Sequence, residues 1–404
     1  MEGGNKSYAG RRVAFLHHQL ALGGSERVSY DAACYLRGLG IESYFFAARS
    51  DERMWTDAGL DAFPLLSLPK YGKNKCFVSP NVDVIIRHIR ELGIELLFVA
   101  VPDIVLPTRI QNETACKVVF WLHNVPYLEA ITKIESYRTQ GERSWYNRLM
   151  WQLVHRPRLL WGDRYIHKWQ ERYRQKLATY DATIVLCEDF RRQMIQELHL
   201  STAEAERILV KTNCLDIEPT PTLEKKKQVI YMGRLSRSDK RVDRLLRIWV
   251  QVEQDLPEWE LAIYGRGDKE ERVLRHLATE LGLRRCRFAG FAADPREVYR
   301  DAAVLCMTSS YEGFPLVLAE AQNQGVVPIA YDTSAGIRAV LAEGAGVLVP
   351  AYDSTRYAEE LRRLCLDADY RRGYQEAGLR HRERFGRAVG EREWTELLPR
   401  LFCD

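Results

Sequence analysis

Two carboxylates, Glu312 and Glu320, stand eight residues apart in the stretch Ser-Tyr-Glu-Gly-Phe-Pro-Leu-Val-Leu-Ala-Glu, residues 310–320. Pro315 suits the first position of a helix, where its missing N–H goes unneeded. The apolar run that follows predicts a helix over residues 316–323, stopping near Gly325. Glu312 then lies in the loop ahead of the helix. Glu320 falls inside it, among Leu316, Val317, Leu318, Ala319 and Ala321. A carboxylate in such company needs a partner, because burying it bare is costly or neutralises it. The N–H groups of Gly313, Phe314 and Leu316 point ahead of the helix and favour an anion such as a phosphate. An anion cradle flanked by two hydroxyl-binding acids has the chemistry for a sugar nucleotide. Either glutamate taken alone fits a solvated turn or helix face equally well.

A second segment, Gln228-Val-Ile-Tyr-Met-Gly-Arg-Leu-Ser-Arg-Ser-Asp-Lys240, reads as a strand, a tight turn at Gly233 and two placed cations, Arg234 and Lys240. A diphosphate uses both the planar fork of Arg and the point charge of Lys. A solvated basic loop is the plain alternative, since Arg237, Arg241 and Arg244 are close by. Ile263-Tyr-Gly-Arg-Gly-Asp268 ends another strand, and Gly265 and Gly267 permit close backbone approach to a ligand. Gly23 and Gly24 follow the first strand and open a helix, a plausible phosphate-cradling loop. His123, in Trp121-Leu-His-Asn-Val-Pro126, ends a strand where it can touch a substrate oxygen; a satisfied structural histidine is the alternative. His17 and His18 end the first strand similarly. The chain contains neither G-x-G-x-x-G nor G-x-x-x-x-G-K-[ST], which disfavours a nicotinamide dehydrogenase or a P-loop kinase. It has no H-E-x-x-H and no C-x-x-C, and no tightly bound metal is expected.

The elements that must position these residues alternate as strand and helix almost end to end, the pattern of a parallel α/β protein. Strands are expected at residues 12–18, 41–47, 95–101, 117–123, 182–186 and 208–212, with a helix at 26–37. A long helical-looking insertion covers residues 131–180. Residues 218–227, with two prolines and a charge run, read as a linker. Beyond it, strands are expected at 228–233, 260–265, 287–290, 304–308, 327–330 and 346–349, with helices at 242–252 and 269–281 and a helical tail from 355 to 402. The domains so defined are 1–217, the linker 218–227, 228–385, and a last helical segment 386–404. Two doubly wound halves bind ligands outside the C-terminal ends of their strands, which puts the expected site in a cleft between them.

A chain of 404 residues is long for one core, and 46% hydrophobic residues is ordinary for a globular protein. No run of 18 apolar residues occurs, and residues 1–12 lack the apolar stretch of a secretory signal. The nine cysteines are scattered, with Cys187 and Cys306 inside apolar runs, as expected of buried reduced thiols in a cytoplasmic protein. The net charge of +4 is uneven. Residues 133–176 interleave Arg and Lys with Trp145, Trp151, Trp161 and Trp169 and with Tyr137, Tyr146, Tyr165 and Tyr173. Such a surface suits an anionic membrane on its inner, cytoplasmic face; a solvated hairpin packed on the first half is the alternative. No nucleic-acid recognition module is present.

Together these segments resemble the retaining, GT-B-fold glycosyltransferases of family 4, the glycosyl transferases group 1. The likeness spans nearly the whole chain. It rests on Gly23-Gly24-Ser25-Glu26-Arg27-Val28, His123-Asn124, Asn213, Gly233-Arg234-Leu235 with Lys240, Gly265-x-Gly267, and Glu312 to Glu320 with seven residues between. The resemblance implies two Rossmann-like domains facing across a cleft. It implies a nucleotide-diphosphate sugar, such as a UDP- or GDP-sugar, as donor substrate, with no tightly bound cofactor or metal. Arg234 and Lys240 would hold the diphosphate, helped by the amides of Gly313, Phe314 and Leu316 around Pro315. Glu320 would bind the ribose and Glu312 the transferred sugar. His123 would sit near the anomeric centre, and the Gly23-Gly24 loop would shape the acceptor side. The acceptor would be a glycan or lipid-linked sugar of cell-surface polysaccharide or glycolipid synthesis. The last helix would pack back on the first half. Arg338-Ala339 stand where the family usually has a Pro-Glu pair, and the insertion is unusually long. A sugar-nucleotide 2-epimerase of the same fold and a non-catalytic partner subunit are the competing classes.

Overall fold

The computed structural model describes residues 8–20, 24–50, 63–72, 75–101, 107–141, 144–160, 164–219 and 221–402. They form two compact units. One contains Met1–His123, Gln170–Asn213 and Gly390–Asp404; the other contains Asn124–Trp169 and Cys214–Val389.

The first unit is built on seven parallel strands: β1 (Arg12–Leu16), β2 (Glu42–Ala47), β3 (Leu65–Ser67), β4 (Leu96–Val99), β5 (Lys117–Trp121), β6 (Ala182–Val185) and β7 (Ile208–Val210). Their order is β3-β2-β1-β4-β5-β6-β7. Strands such as Leu-Leu-Phe-Val in β4 are apolar throughout, because helices cover both faces of a parallel sheet. Phe15 stacks between Phe45 and Phe98 at 5.1 Å each, and Trp121 meets Trp394 edge to face at 5.5 Å. Trp394, Leu397, Leu398 and Leu401 of the last helix (Arg387–Phe402) enter this core. Strand β3 escaped the sequence reading. Three residues behind Phe63-Pro64 are too short for any period to emerge.

The second unit carries six parallel strands: β8 (Gln228–Met232), β9 (Glu260–Tyr264), β10 (Cys286–Gly290), β11 (Val304–Met307), β12 (Val327–Tyr331) and β13 (Val347–Val349). Their order, β10-β9-β8-β11-β12-β13, is that of a Rossmann sheet. Helix Val242–Val252 turns Leu245, Leu246, Ile248, Trp249 and Val252 inward. All six strands expected in this half are present. Lys225, in the segment read as a linker, is tied to this unit. Its Nζ donates to the carbonyls of Tyr299, Arg300 and Gln324 at 3.1, 3.0 and 2.7 Å. It thereby meets the negative ends of helices Pro295–Asp301 and Leu316–Asn323. Burial lowers its pKa to about 8.

Residues 124–169 group with this second sheet rather than with the first half that precedes them in sequence. The contacts explain why. The Thr132 and Tyr311 hydroxyls lie 3.2 Å apart, and the Arg138 guanidinium covers the Tyr352 ring at 4.9 Å.

Candidate functional site

Strand order in the second sheet reverses between β8 and β11, so the loops after these two strands flank the crevice where such sheets take ligands. The loop after β8 carries Arg234 and Lys240, and the loop after β11 carries Glu312. The structure joins them. Lys240 Nζ donates to both Glu312 oxygens, at 2.6 and 2.9 Å. The Ser310 amide donates to the Asp239 carbonyl at 2.7 Å, and the Thr308 hydroxyl to the Arg241 carbonyl at 2.9 Å. Glu312 is buried, while the Arg234 side chain is 69% exposed and open to a ligand.

Arg234 is steered by Asp239, whose Oδ2 accepts from Nη2 at 2.5 Å. Burial alone would raise the Asp239 carboxyl. The Ser236 hydroxyl together with Arg234 and Lys240 outweighs burial and holds it below the ordinary value. Asp239 therefore stays ionised and fixes the fork. The sequence reading passed over this residue, although an acid beside Lys240 and five positions after Arg234 was a visible signal.

The helix that begins the second cradle runs Leu316–Asn323, and Gly325 follows it at φ 70. Pro315 is not its first residue. It stands one position earlier, in extended conformation (φ −77, ψ 92), and the Leu318 amide closes on its carbonyl at 3.0 Å. Glu320 has the partner its surroundings demand: the Tyr299 hydroxyl donates to Oε2 at 2.9 Å. Burial and the neighbouring Glu320 charge push the Tyr299 pKa well up, so the phenol stays a donor. Phe314 is buried edge to face against Phe385 at 5.3 Å.

The Glu312-Gly313 backbone is clamped from β12's side. The Ser334 hydroxyl donates to the Glu312 carbonyl at 2.7 Å and caps helix Ala335–Val340. Gly336 lies so close that an added Cβ would meet the Gly313 oxygen at 1.7 Å. Neither Ser334 nor Gly336 was singled out in the sequence, where Ser-Ala-Gly looks like any helix start. Arg338, at the departure from the family pattern, pairs with Asp332 at 2.5 Å.

Gly265 and Gly267 lie where two loops of the protein come close together. A Cβ on Gly265 would meet the Gly233 oxygen at 1.9 Å, and one on Gly267 the Leu235 oxygen at 2.7 Å. The Gly233 and Leu235 amides donate to the Tyr264 and Arg266 carbonyls at 3.1 and 2.9 Å. The close approach is thus between two loops, and it fixes where the chain carries Arg234.

His123 and Gly24 belong to the first unit. His123 lies two residues beyond β5, its ring tilted against Trp121 at 4.6 Å. Both of its ring nitrogens are buried, with no hydrogen-bond partner among the described residues. Burial, then the neighbouring His17, lowers its pKa to about 3, so the ring is neutral. Gly24 is the first residue of helix Gly24–Gly38 and a Cβ there would meet nothing within 4 Å. Glu26 occupies the first turn, takes a 2.8 Å bond from Ser25, and has its pKa raised by burial. Gly23, the other half of the expected phosphate loop, lies outside the described residues. Among the described residues, no group of three or more His, Cys, Asp or Glu could hold a metal ion, and no helix is long and apolar enough to cross a membrane.

Residues 215–381, the segment that holds both loops, match the family model of the glycosyl transferases group 1. That segment is about two fifths of the chain. An exopolysaccharide phosphotransferase of Streptomyces coelicolor is 31% identical over 224 residues, covering 55% of this chain and 23% of that protein. An amylovoran biosynthesis glycosyltransferase of Erwinia amylovora is 27% identical over 43% of this chain and 48% of its own length. These matches thus span about half or less of the relatives' lengths. A crystal structure of Anabaena HepE in complex with UDP and glucose superposes with a TM-score of 0.71 at 18% identity, covering 96% of this chain and all 100% of that one. That likeness establishes the architecture: two Rossmann-like α/β sheets of the GT-B type, the second of which holds Arg234, Lys240, Glu312 and Glu320.

Proposed function

We propose that the protein is a retaining glycosyltransferase that moves a sugar from a nucleotide-diphosphate sugar to a glycan or lipid-linked acceptor. The observation that carries this reading is the pairing of Lys240 with Glu312 across the switch point, beside an exposed Arg234 held by Asp239. A diphosphate seated there engages Arg234 and Lys240. Each charge-assisted bond contributes about 1.5–3 kcal/mol. The amides from Gly313 to Leu316 extend the cradle at the helix start. Glu320, oriented by Tyr299, takes the ribose hydroxyls. Glu312 takes hydroxyls of the transferred sugar, and neutral His123 is assigned to the region of the anomeric centre. The Gly24 end of the first unit's helix is assigned to the acceptor side.

In the step, the bond from the anomeric carbon to the diphosphate oxygen breaks and the acceptor oxygen bonds to that carbon from the same face. The acceptor's proton passes to the departing diphosphate. Catalysis is positioning together with stabilisation of the leaving charge by Arg234, Lys240 and the helix-start amides. Two side-chain cations do this work without a divalent ion. Support for the donor class comes from HepE, crystallised with UDP and glucose, and for a polysaccharide acceptor from the amylovoran biosynthesis relative.

A thermal-shift panel of UDP- and GDP-sugars tests the reading, because a ligand of the folded state raises the melting temperature by mass action. At least one donor is expected to do so. Nucleoside diphosphate is then expected to form only when acceptor is added, with the anomeric configuration kept and EDTA without effect. No shift with any donor would remove the donor-site assignment. Sugar isomerisation without acceptor would favour an epimerase instead.

A further inference from the structure

Six of the twelve exposed large hydrophobic residues among the described residues fall on one short segment. It is a continuous helix in three pieces: Trp145–Met150, a wide π turn Trp151–His155, and Arg156–Leu160. Ser144 caps its start by accepting from the Asn147 amide. Pro157 accounts for the wide turn. It lacks an N–H and its ring crowds the carbonyl four residues back, so the Arg156 amide reaches instead to Trp151, five back. One side of the helix is anchored: Trp151 and Leu159 are buried together with Ile134. The other side is apolar and bare. Trp145 is 78% exposed, Tyr146 57%, Leu149 47% and Leu153 67%. Positions 145, 149 and 153 recur every four residues, with 146 beside them, and so form one stripe.

Within the helix itself the charge has a single sign. Residues 144–160 contain Arg148, Arg156 and Arg158 and no Asp or Glu, in a chain with 55 acidic residues. All three arginines are exposed. A protein partner with a mixed surface does not require such one-sidedness, whereas an anionic lipid surface does. At about 1.5 Å per residue the helix is about 24 Å long, short of the about 30 Å of a bilayer's hydrocarbon core.

We propose that the helix over residues 145–160 docks the protein in the plane of an anionic lipid surface. Trp145, Tyr146, Leu149 and Leu153 enter the headgroup boundary, and Arg148, Arg156 and Arg158 meet lipid phosphates. This narrows the broad basic aromatic stretch to one helix face. It rests on the functional reading only in that a lipid-linked acceptor would be met at the same surface.

Co-flotation of the full chain with phosphatidylglycerol–phosphatidylcholine vesicles, compared with phosphatidylcholine alone, is the test. Wild type is expected to float with the anionic vesicles at low salt and to be partly released by high salt. The variant W145S/L149S/L153S should bind about tenfold more weakly, and R148Q/R156Q/R158Q should lose the preference for anionic lipid. Unchanged circular dichroism and thermal unfolding confirm that both variants are folded. Wild type that stays with the soluble fraction, or variants that float like wild type, would overturn the proposal. So would a concentration-dependent dimer abolished by W145S/L149S/L153S without any flotation, which would make the face a self-interface. Thermal shift by soluble donor is independent of flotation, so either idea can fail alone.

Discussion

Lys240 Nζ lies 2.6 and 2.9 Å from the two carboxylate oxygens of Glu312. The pair links the two loops of the switch point, each charge offsetting the other. On the proposed function, an entering diphosphate would compete for Lys240 and free Glu312 to accept from sugar hydroxyls. Lys240→Ala is therefore expected to lower kcat/KM by about 10²–10³, the scale of removing one preorganised charge donor. It also leaves a buried carboxylate without its partner. We expect a stability loss of about 1–3 kcal/mol, less than for a fully buried pair because Lys240 is partly solvated. Steady-state kinetics and thermal unfolding check the two effects separately, and wild-type turnover in this variant would remove Lys240 from the mechanism.

Tyr299 acts through Glu320. Tyr299→Phe removes the hydroxyl that donates to Oε2 and leaves the ring packing in place. The expected result is a rise in donor KM of about fivefold, the scale of one hydrogen bond, with kcat within about twofold. A fall in kcat at constant KM would instead place Glu320 on the reacting sugar.

The glycines separate packing from ligand contact. Gly336→Ala and Gly265→Ala would drive a Cβ to 1.7 and 1.9 Å from the Gly313 and Gly233 oxygens. Those neighbours are backbone and cannot swing aside. Both variants are expected to lose about 1–3 kcal/mol of stability and most of their activity. Gly24→Ala has open space around it, so it should fold normally. Loss of transfer in a fully stable Gly24→Ala enzyme would mark close ligand approach at that helix start, and full activity would remove Gly24 from the site.

The doubly wound sheets were legible because a strand buried on both faces is apolar throughout, and β4 and β11 carry that mark in their residues. Helix Leu316–Asn323 was legible from its proline start and glycine stop. What the sequence withheld was pairing. Nothing local says that Tyr299 reaches Glu320, twenty-one residues away, or that Gly336 presses on Gly313. These are contacts between consecutive crossover units, decided by how helices settle on the sheet. Gly265 and Gly267 signal a close backbone approach in the sequence, but that trace does not name the Gly233 and Leu235 carbonyls that the structure brings there. The placement of residues 124–169 with the second sheet likewise rests on side chains such as Thr132 and Arg138, whose partners lie about two hundred residues on.

Burial, then the nearby His18, takes the His17 pKa down to about 3, and burial, then His17, does the same for His123. Both start from 6.5 in the unfolded chain. Above that pH neither state binds the proton and these two residues leave stability unchanged. Below it the unfolded chain takes up protons that the folded state refuses, so stability falls as pH drops from about 6.5 toward 3. Each histidine adds about 1.4 kcal/mol per pH unit to that slope. Urea unfolding at several pH values is expected to show it, and His17→Asn should flatten it by about half of the pair's share. Because His123 remains neutral across this range, it should add no limb near pH 6.5 to the kcat/KM profile. A limb there that vanishes in His123→Gln would mean that the ring is protonated during turnover, and the neutral role assigned to it would have to be abandoned.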